Sequence, residues 1–235
     1  VLKRRFTVTA DPGAVKSIAG AAAAGGRRWF VYINGVAASP RARVHAGERV
    51  WWDLHASSVA PQAVVGAFPE PFLHGVGGKR LPVTVACGSG VAAACRRVAS
   101  ALARLGVPAA SQALGAASGQ DSLAVVVGTW SELRGEVVAA LLARGPSASS
   151  VFARFTGRGG APLELLDARG REVAGLGPTA GLIAALTERG SAPTWLVTGT
   201  DPAGVLAAAD AFAPGQLRDR FALAVGGGRH LPVPR

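Results

Sequence analysis

Methionine is absent, lysine occurs only at Lys3, Lys16 and Lys79, and cysteine only at Cys87 and Cys95. Histidine is confined to His45, His55, His74 and His230. Each scarcity excludes something. With no initiator and no signal peptide at VLKRRF, the expectation is a processed product or a fragment. Two cysteines without C-x-x-C, and histidines without metal-ligand spacing, leave no zinc site and no thioredoxin-type motif. H-E-x-x-H and G-x-S-x-G are both missing. No metal, no cofactor and no catalytic residue is therefore expected, and the reading is non-enzymatic. From the residues alone, Cys87 and Cys95 suit a disulfide or two buried thiols equally. No apolar run approaches the roughly 20 residues of a membrane span.

What is present is globular in composition, with 49% hydrophobic residues in a chain of 235. That length suits one large domain or two small ones. The formal net charge is +11 and almost entirely arginine. Residues 1–80 hold 11 basic and 4 acidic residues, net +7; residues 81–235 hold 14 and 10, net +4. The arginines are scattered and form no long run, so they read as a solvated basic surface and no nucleic-acid partner is expected.

The chain divides by rhythm. FTVT (6–9), VKSIAG (15–20), WFVYI (29–33) and RVWWDLH (49–55) read as strands, with a hairpin turn at Asn34-Gly35 and another turn at Ala46-Gly47-Glu48. Residues 56–80 form a loop-rich connection around FPEPF (68–72). From Leu81 strands and helices alternate. LPVTVAC (81–87), SLAVVVGTW (122–130), VFARF (151–155), LELLD (163–167), TWLVTGT (194–200) and FALAV (221–225) are strands. Ala92–Leu105, Glu132–Arg144, Thr179–Arg189 and a segment from Pro202 to about Phe212 are helices, the last capped by Asp201. The expectation is an α/β (α+β) protein: residues 1–80 a β-rich module, residues 81–235 an α/β layered module.

The motifs VKSIAG (15–20), WFVYINGV (29–36) and HAGERVWWD (45–53), in that order, resemble the transcobalamin-like C-terminal domain family. Glu48 stands where that pattern usually has Asp. The continuation VVGAFPEPFLHG resembles a long form found in exported actinobacterial proteins. The resemblance implies a β-grasp-like module, a small sheet over one helix, of which Val1–Arg5 would be the helix tail. The first strand and part of the helix would then be missing from the N-terminus. It also implies an extracytoplasmic protein, secreted or anchored (often as a lipoprotein) through a preceding segment, and so favours a Cys87–Cys95 disulfide. The partner implied is a small cobalamin-like ligand; the alternative is an envelope protein bound without any small molecule.

Two glycine-rich stretches are weighed and set aside. GSGVAA (88–93) fits the dinucleotide fingerprint, but no acid lies near 108–112 to hold a ribose. GVGGKR (75–80) lacks the first glycine and the hydroxyl of a phosphate loop. The candidate ligand site is the aromatic cluster: Tyr32, Trp51, Trp52 and His55, with Phe68, Glu70, Phe72 and His74 from the loop. Trp51 and Trp52 must face opposite sides of a strand. The FPEPF loop is expected to cover the exposed one or to frame a pocket beside it.

Overall fold

The computed structural model describes residues 5–56, 59–116, 121–156, 162–187 and 192–235. The helix tail expected over Val1–Arg5 lies, but for Arg5, outside them.

The N-terminal part holds two small antiparallel sheets. Strands β1 (Val8–Asp11), β2 (Ala14–Ile18) and β3 (Ala21–Ala22) form one, in that order. Strands β4 (Arg28–Ile33), β5 (Val36–Ala37) and β6 (Val50–His55) form the other, ordered β5-β4-β6. The β4–β5 turn is the expected Asn34-Gly35: Ile33 pairs with Val36, and both turn residues have positive φ, 49° and 79°. That conformation suits Asn and Gly and matches the twist of the flanking strands. Asn34 is fully buried, and both ends of its amide are used. Its Nδ2 donates to the Gly75 carbonyl at 2.8 Å and its Oδ1 accepts from the Arg49 amide at 2.8 Å.

From residue 81 the elements are β7 (Val83–Cys87), α1 (Ala92–Arg104), β8 (Ala109–Ala113), β9 (Leu123–Thr129), α2 (Trp130–Leu133), α3 (Val137–Ala143) and α4 (Pro146–Ser149). They continue with β10 (Ala153–Phe155), β11 (Leu163–Leu166), β12 (Glu172–Leu176), β13 (Gly181–Leu186), β14 (Thr194–Gly199), α5 (Pro202–Asp210), α6 (Pro214–Leu217), β15 (Ala222–Gly226) and β16 (Arg229–Val233). Seven strands form one mixed sheet, ordered β16-β15-β13-β14-β9-β7-β8. The β8, β7, β9 and β14 strands run parallel; β13, β15 and β16 extend the sheet through antiparallel pairs. The α+β class follows directly.

Both faces of this sheet are covered. One carries α1, α5 and a core including Val85, Val98, Leu102, Val125, Trp195 and Val205. The other carries α2, α3 and the β10-β11-β12 sheet, around Leu133, Leu142, Phe152, Leu165, Leu182 and Leu196. Burial on two faces removes the polar alternation that marks a strand. That is why GLIAAL reads as a helix within 179–189 although Gly181–Leu186 is a central strand, buried at every position. Residues 188 and 189 lie outside the described residues. The helix expected over Glu132–Arg144 is likewise two short helices, α2 and α3, broken at Arg134-Gly135-Glu136. In this part of the chain, strands β8, β12 and β16 and the short helices α4 and α6 lie where no element was expected.

Cys87 and Cys95 form a disulfide with their Cα atoms 6.0 Å apart. It staples the end of β7 to the first turn of α1.

The FPEPF segment is core. Phe68 and Phe72 are 0% and 6% exposed and pack on Trp195 and Phe212 at ring-centroid distances of 4.7–6.5 Å. Ala63 and Val65 join the same core. A boundary at residue 80 therefore cuts through one hydrophobic core; by packing, residues 63–72 belong with the large sheet.

Candidate functional site

The two faces of the β5-β4-β6 sheet have different fates, decided by the alternation of two strands. Pairing sets Phe30 opposite Asp53, Val31 opposite Trp52 and Tyr32 opposite Trp51. Arg28, Phe30, Tyr32, Trp51, Asp53 and His55 thus share one face; Trp29, Val31, Ile33, Val50, Trp52 and Leu54 share the other.

The first face docks on the large sheet's unit through Phe221. Its ring lies 5.2 Å from Trp51, 4.7 Å from His55 and 6.0 Å from Tyr32. Arg49 reaches Asp219 at 3.3 Å, and the Val65 amide donates to the Phe221 carbonyl at 3.1 Å. His55 stacks on Phe30, centroids 4.1 Å apart, and its Nδ1 meets the Asp53 carboxylate at 2.5 Å. Burial first, and the Asp53 charge second, push the Tyr32 phenol above its ordinary pKa. It stays neutral.

Among the described residues the second face is uncovered and forms a groove of about 560 Å³. Its floor is Trp29, Val31, Ile33, Val50 and Trp52; Ile18 of β2 and Phe6 close one side, and the loop of Ser39, Pro40, Ala42 and Val44 forms the rim. Arg5 also lines it. Trp29 is fixed by its indole N–H, which donates to the Ala21 carbonyl of β3 at 3.3 Å. A second hollow shares Trp52 and Pro40 with the groove and adds Arg41 and Asp11. The groove is thus an aromatic-walled, apolar concavity of ligand size, with few polar groups to fix orientation.

The expected aromatic cluster is therefore not one site. Only Trp52 of the eight residues lines the groove. Tyr32, Trp51 and His55 sit on the opposite face, and Phe68 and Phe72 are in the core of the large unit. Phe68 and Phe72 cover neither tryptophan, because they pack on Trp195 of β14 and on Phe212, which follows α5. Glu70 and His74 form a local clasp: Glu70, 4% exposed, accepts the His74 amide at 3.0 Å and pairs with its imidazole at 2.5 Å. The groove's real walls include Trp29, Val31, Ile33 and Val50. A signal for them exists in the sequence, since one face of both β4 and β6 is wholly apolar.

The glycine-rich turn after β7 meets an internal anion. The Glu132 carboxylate accepts from the Gly90 amide at 3.0 Å, the Ser89 hydroxyl at 3.3 Å and the Thr129 amide and hydroxyl at 2.9 Å. Partial burial alone would raise its pKa. The hydrogen bonds from Gly90, Thr129 and Ser89 outweigh that and hold it below the ordinary carboxylate value. A pyrophosphate would have to displace this carboxylate. The N-terminus of α5 is satisfied in the same way, by Asp201 accepting from the Gly204 amide at 2.7 Å. Among the described residues, no three His, Cys, Asp or Glu side chains gather as a metal ion requires, and no helix is long and apolar enough to cross a membrane. In comparisons with known proteins, no family model matches this chain, and no curated protein matches it.

Proposed function

We propose that this is a non-catalytic binding protein acting outside the cytoplasm, and that the groove on the β4–β6 sheet is its ligand site. The observation that carries the reading is the apolar face walled by Trp29 and Trp52, uncovered among the described residues and about 560 Å³ in volume, on a module whose other face packs against Phe221. A free aromatic-lined concavity of this size is the usual place for a small ligand with a flat apolar face. The Cys87–Cys95 disulfide supports an oxidising compartment. The resemblance to the transcobalamin-like C-terminal domain, with its β-grasp-like plan, points to the corrinoid class as the first ligand to try. The large sheet's unit serves as the support on which the binding module is mounted through Phe221.

The test is an absorbance titration of the full chain with cobalamin, alongside a Trp52→Ala variant. Saturable spectral change in the parent protein, weakened at least tenfold in the variant, is the expected result. No spectral change removes the corrinoid class. A change that Trp52→Ala leaves untouched removes the groove as the site.

A further inference from the structure

The charge around the groove is one-sided, and this narrows what the groove accepts. Four acids lie in residues 1–80: Asp11, Glu48, Asp53 and Glu70. Each is already engaged. Asp11, which lines the adjoining hollow with Arg41, is paired with Lys16 at 2.7 Å. The Glu48 side chain is 1% exposed and accepts from the His45 amide at 2.7 Å. Asp53 is with His55 on the opposite face, and Glu70 is buried with His74. The arginines beside the groove are the reverse. Arg5 lines it, Arg41 lines the adjoining hollow, and Arg43 stands on the same rim loop. All three are exposed, and none has a carboxylate in ion-pair range among the described residues.

From this we infer that the groove selects a small amphiphilic anion: a flat, ring-containing apolar body seated on Trp29 and Trp52, with a carboxylate, sulfonate or phosphate directed to Arg5 and Arg41. This rests on the groove being the ligand site, and it sets a small anion ahead of the corrinoid class as the occupant. Two requirements meet there. The apolar floor rewards burial of a hydrophobic body, because apolar surface is removed from water. The floor offers almost nothing to a polar head, so the head must lie at the rim, where among the described residues the charges without an opposite partner are positive. Arginine suits an anionic oxygen pair because its planar donors match both oxygens at once. A neutral ligand would leave that complementarity unused, and a cation would meet repulsion at the rim.

The experiment uses two fluorescent probes with closely similar aromatic bodies, 8-anilinonaphthalene-1-sulfonate and neutral N-phenyl-1-naphthylamine. Both are titrated into the full chain and into Trp52→Ala, Arg5→Gln and Arg41→Gln. The arginines are exposed, so their replacement leaves the fold intact, and near-ultraviolet circular dichroism checks this for Trp52→Ala. The sulfonate is expected to bind at least fivefold more tightly than the neutral probe. Each arginine replacement should cost the sulfonate up to roughly fivefold, the size of one exposed ion pair, and the neutral probe nothing. Trp52→Ala should weaken both. If Trp52→Ala, still folded, weakens neither probe, the groove is not the site and the underlying reading falls. If it weakens both while the probes bind equally, or the arginine variants do not discriminate, the anion inference alone falls. Sedimentation showing a dimer that Trp52→Ala dissociates would overturn it in favour of a second copy as occupant. Cosedimentation with anionic lipid vesicles that is lost in Trp52→Ala, without saturable binding of the sulfonate, would overturn it in favour of a membrane surface.

Discussion

Trp51 and Trp52 are neighbours in the chain and serve opposite faces of one sheet: Trp51 packs 5.2 Å from Phe221 on the large unit, and Trp52 walls the open groove. The two should therefore separate stability from binding. Trp51→Ala is expected to cost about 2–3 kcal/mol of stability through lost aromatic packing, with ligand affinity nearly unchanged. Trp52→Ala should cost less stability and most of the affinity. Urea midpoints set beside probe titrations measure both quantities, and equal effects on the two would contradict the division of faces.

Phe68 tests where the connecting segment belongs. Phe68→Ala removes a fully buried ring from the cluster with Phe72, Trp195 and Phe212, at an expected cost of about 3–5 kcal/mol. The loss should appear in the unfolding of the large sheet, followed through the indole N–H resonance of Trp195. A variant that loosens only the β4–β6 sheet would show that the segment belongs with the N-terminal module.

Glu132 gives a pH prediction of definite sign. Its carboxylate has a lowered pKa in the folded state, so the unfolded chain takes up its proton first as pH falls. Its contribution is complete above the unfolded carboxylate range, near about 4.3, and is lost as pH drops through the lower folded value. Replacement by Gln should flatten the acid limb of the stability curve. At neutral pH it should cost about 1–2 kcal/mol, the size of a lost cap with charged hydrogen bonds. Denaturation across pH 3 to 7 reads both; an unchanged acid limb would mean that these hydrogen bonds carry no net stabilisation.

The disulfide closes a short loop of sequence separation 8. Loop-closure arguments give such a bridge about 2.5 kcal/mol, less than a long loop would. Replacing Cys87 and Cys95 together by serine should lower the denaturation midpoint accordingly and abolish its dependence on reductant. A midpoint insensitive to both changes would show that the staple adds nothing to the fold.

How much was readable follows from burial. The Asn34-Gly35 hairpin, the β6 strand and the α1 and α5 helices are legible because local chemistry specifies each: positive φ at a turn, alternation on a half-buried strand, Asp201 as a cap. GLIAAL misleads because a strand covered on both sides has no polar phase to reveal its period. The site is harder still. Trp51 and Trp52 signal aromatic surface, and strand geometry sends them apart, but only tertiary packing decides which face Phe221 takes. Phe68 and Phe72 look like a lid because their loop is long and proline-rich. Their partners Trp195 and Phe212 lie more than 100 residues away in the sequence, where no local pattern reaches.

The most direct measurement of the groove as the ligand site is a nuclear magnetic resonance titration with 8-anilinonaphthalene-1-sulfonate, following the five indole N–H signals of Trp29, Trp51, Trp52, Trp130 and Trp195. The expected result is progressive, saturable shifts at Trp29 and Trp52, with Trp130 and Trp195 unmoved in their cores. Shifts confined to Trp51, Trp130 or Trp195, or saturation with Trp29 and Trp52 unchanged, would contradict the assignment of the site.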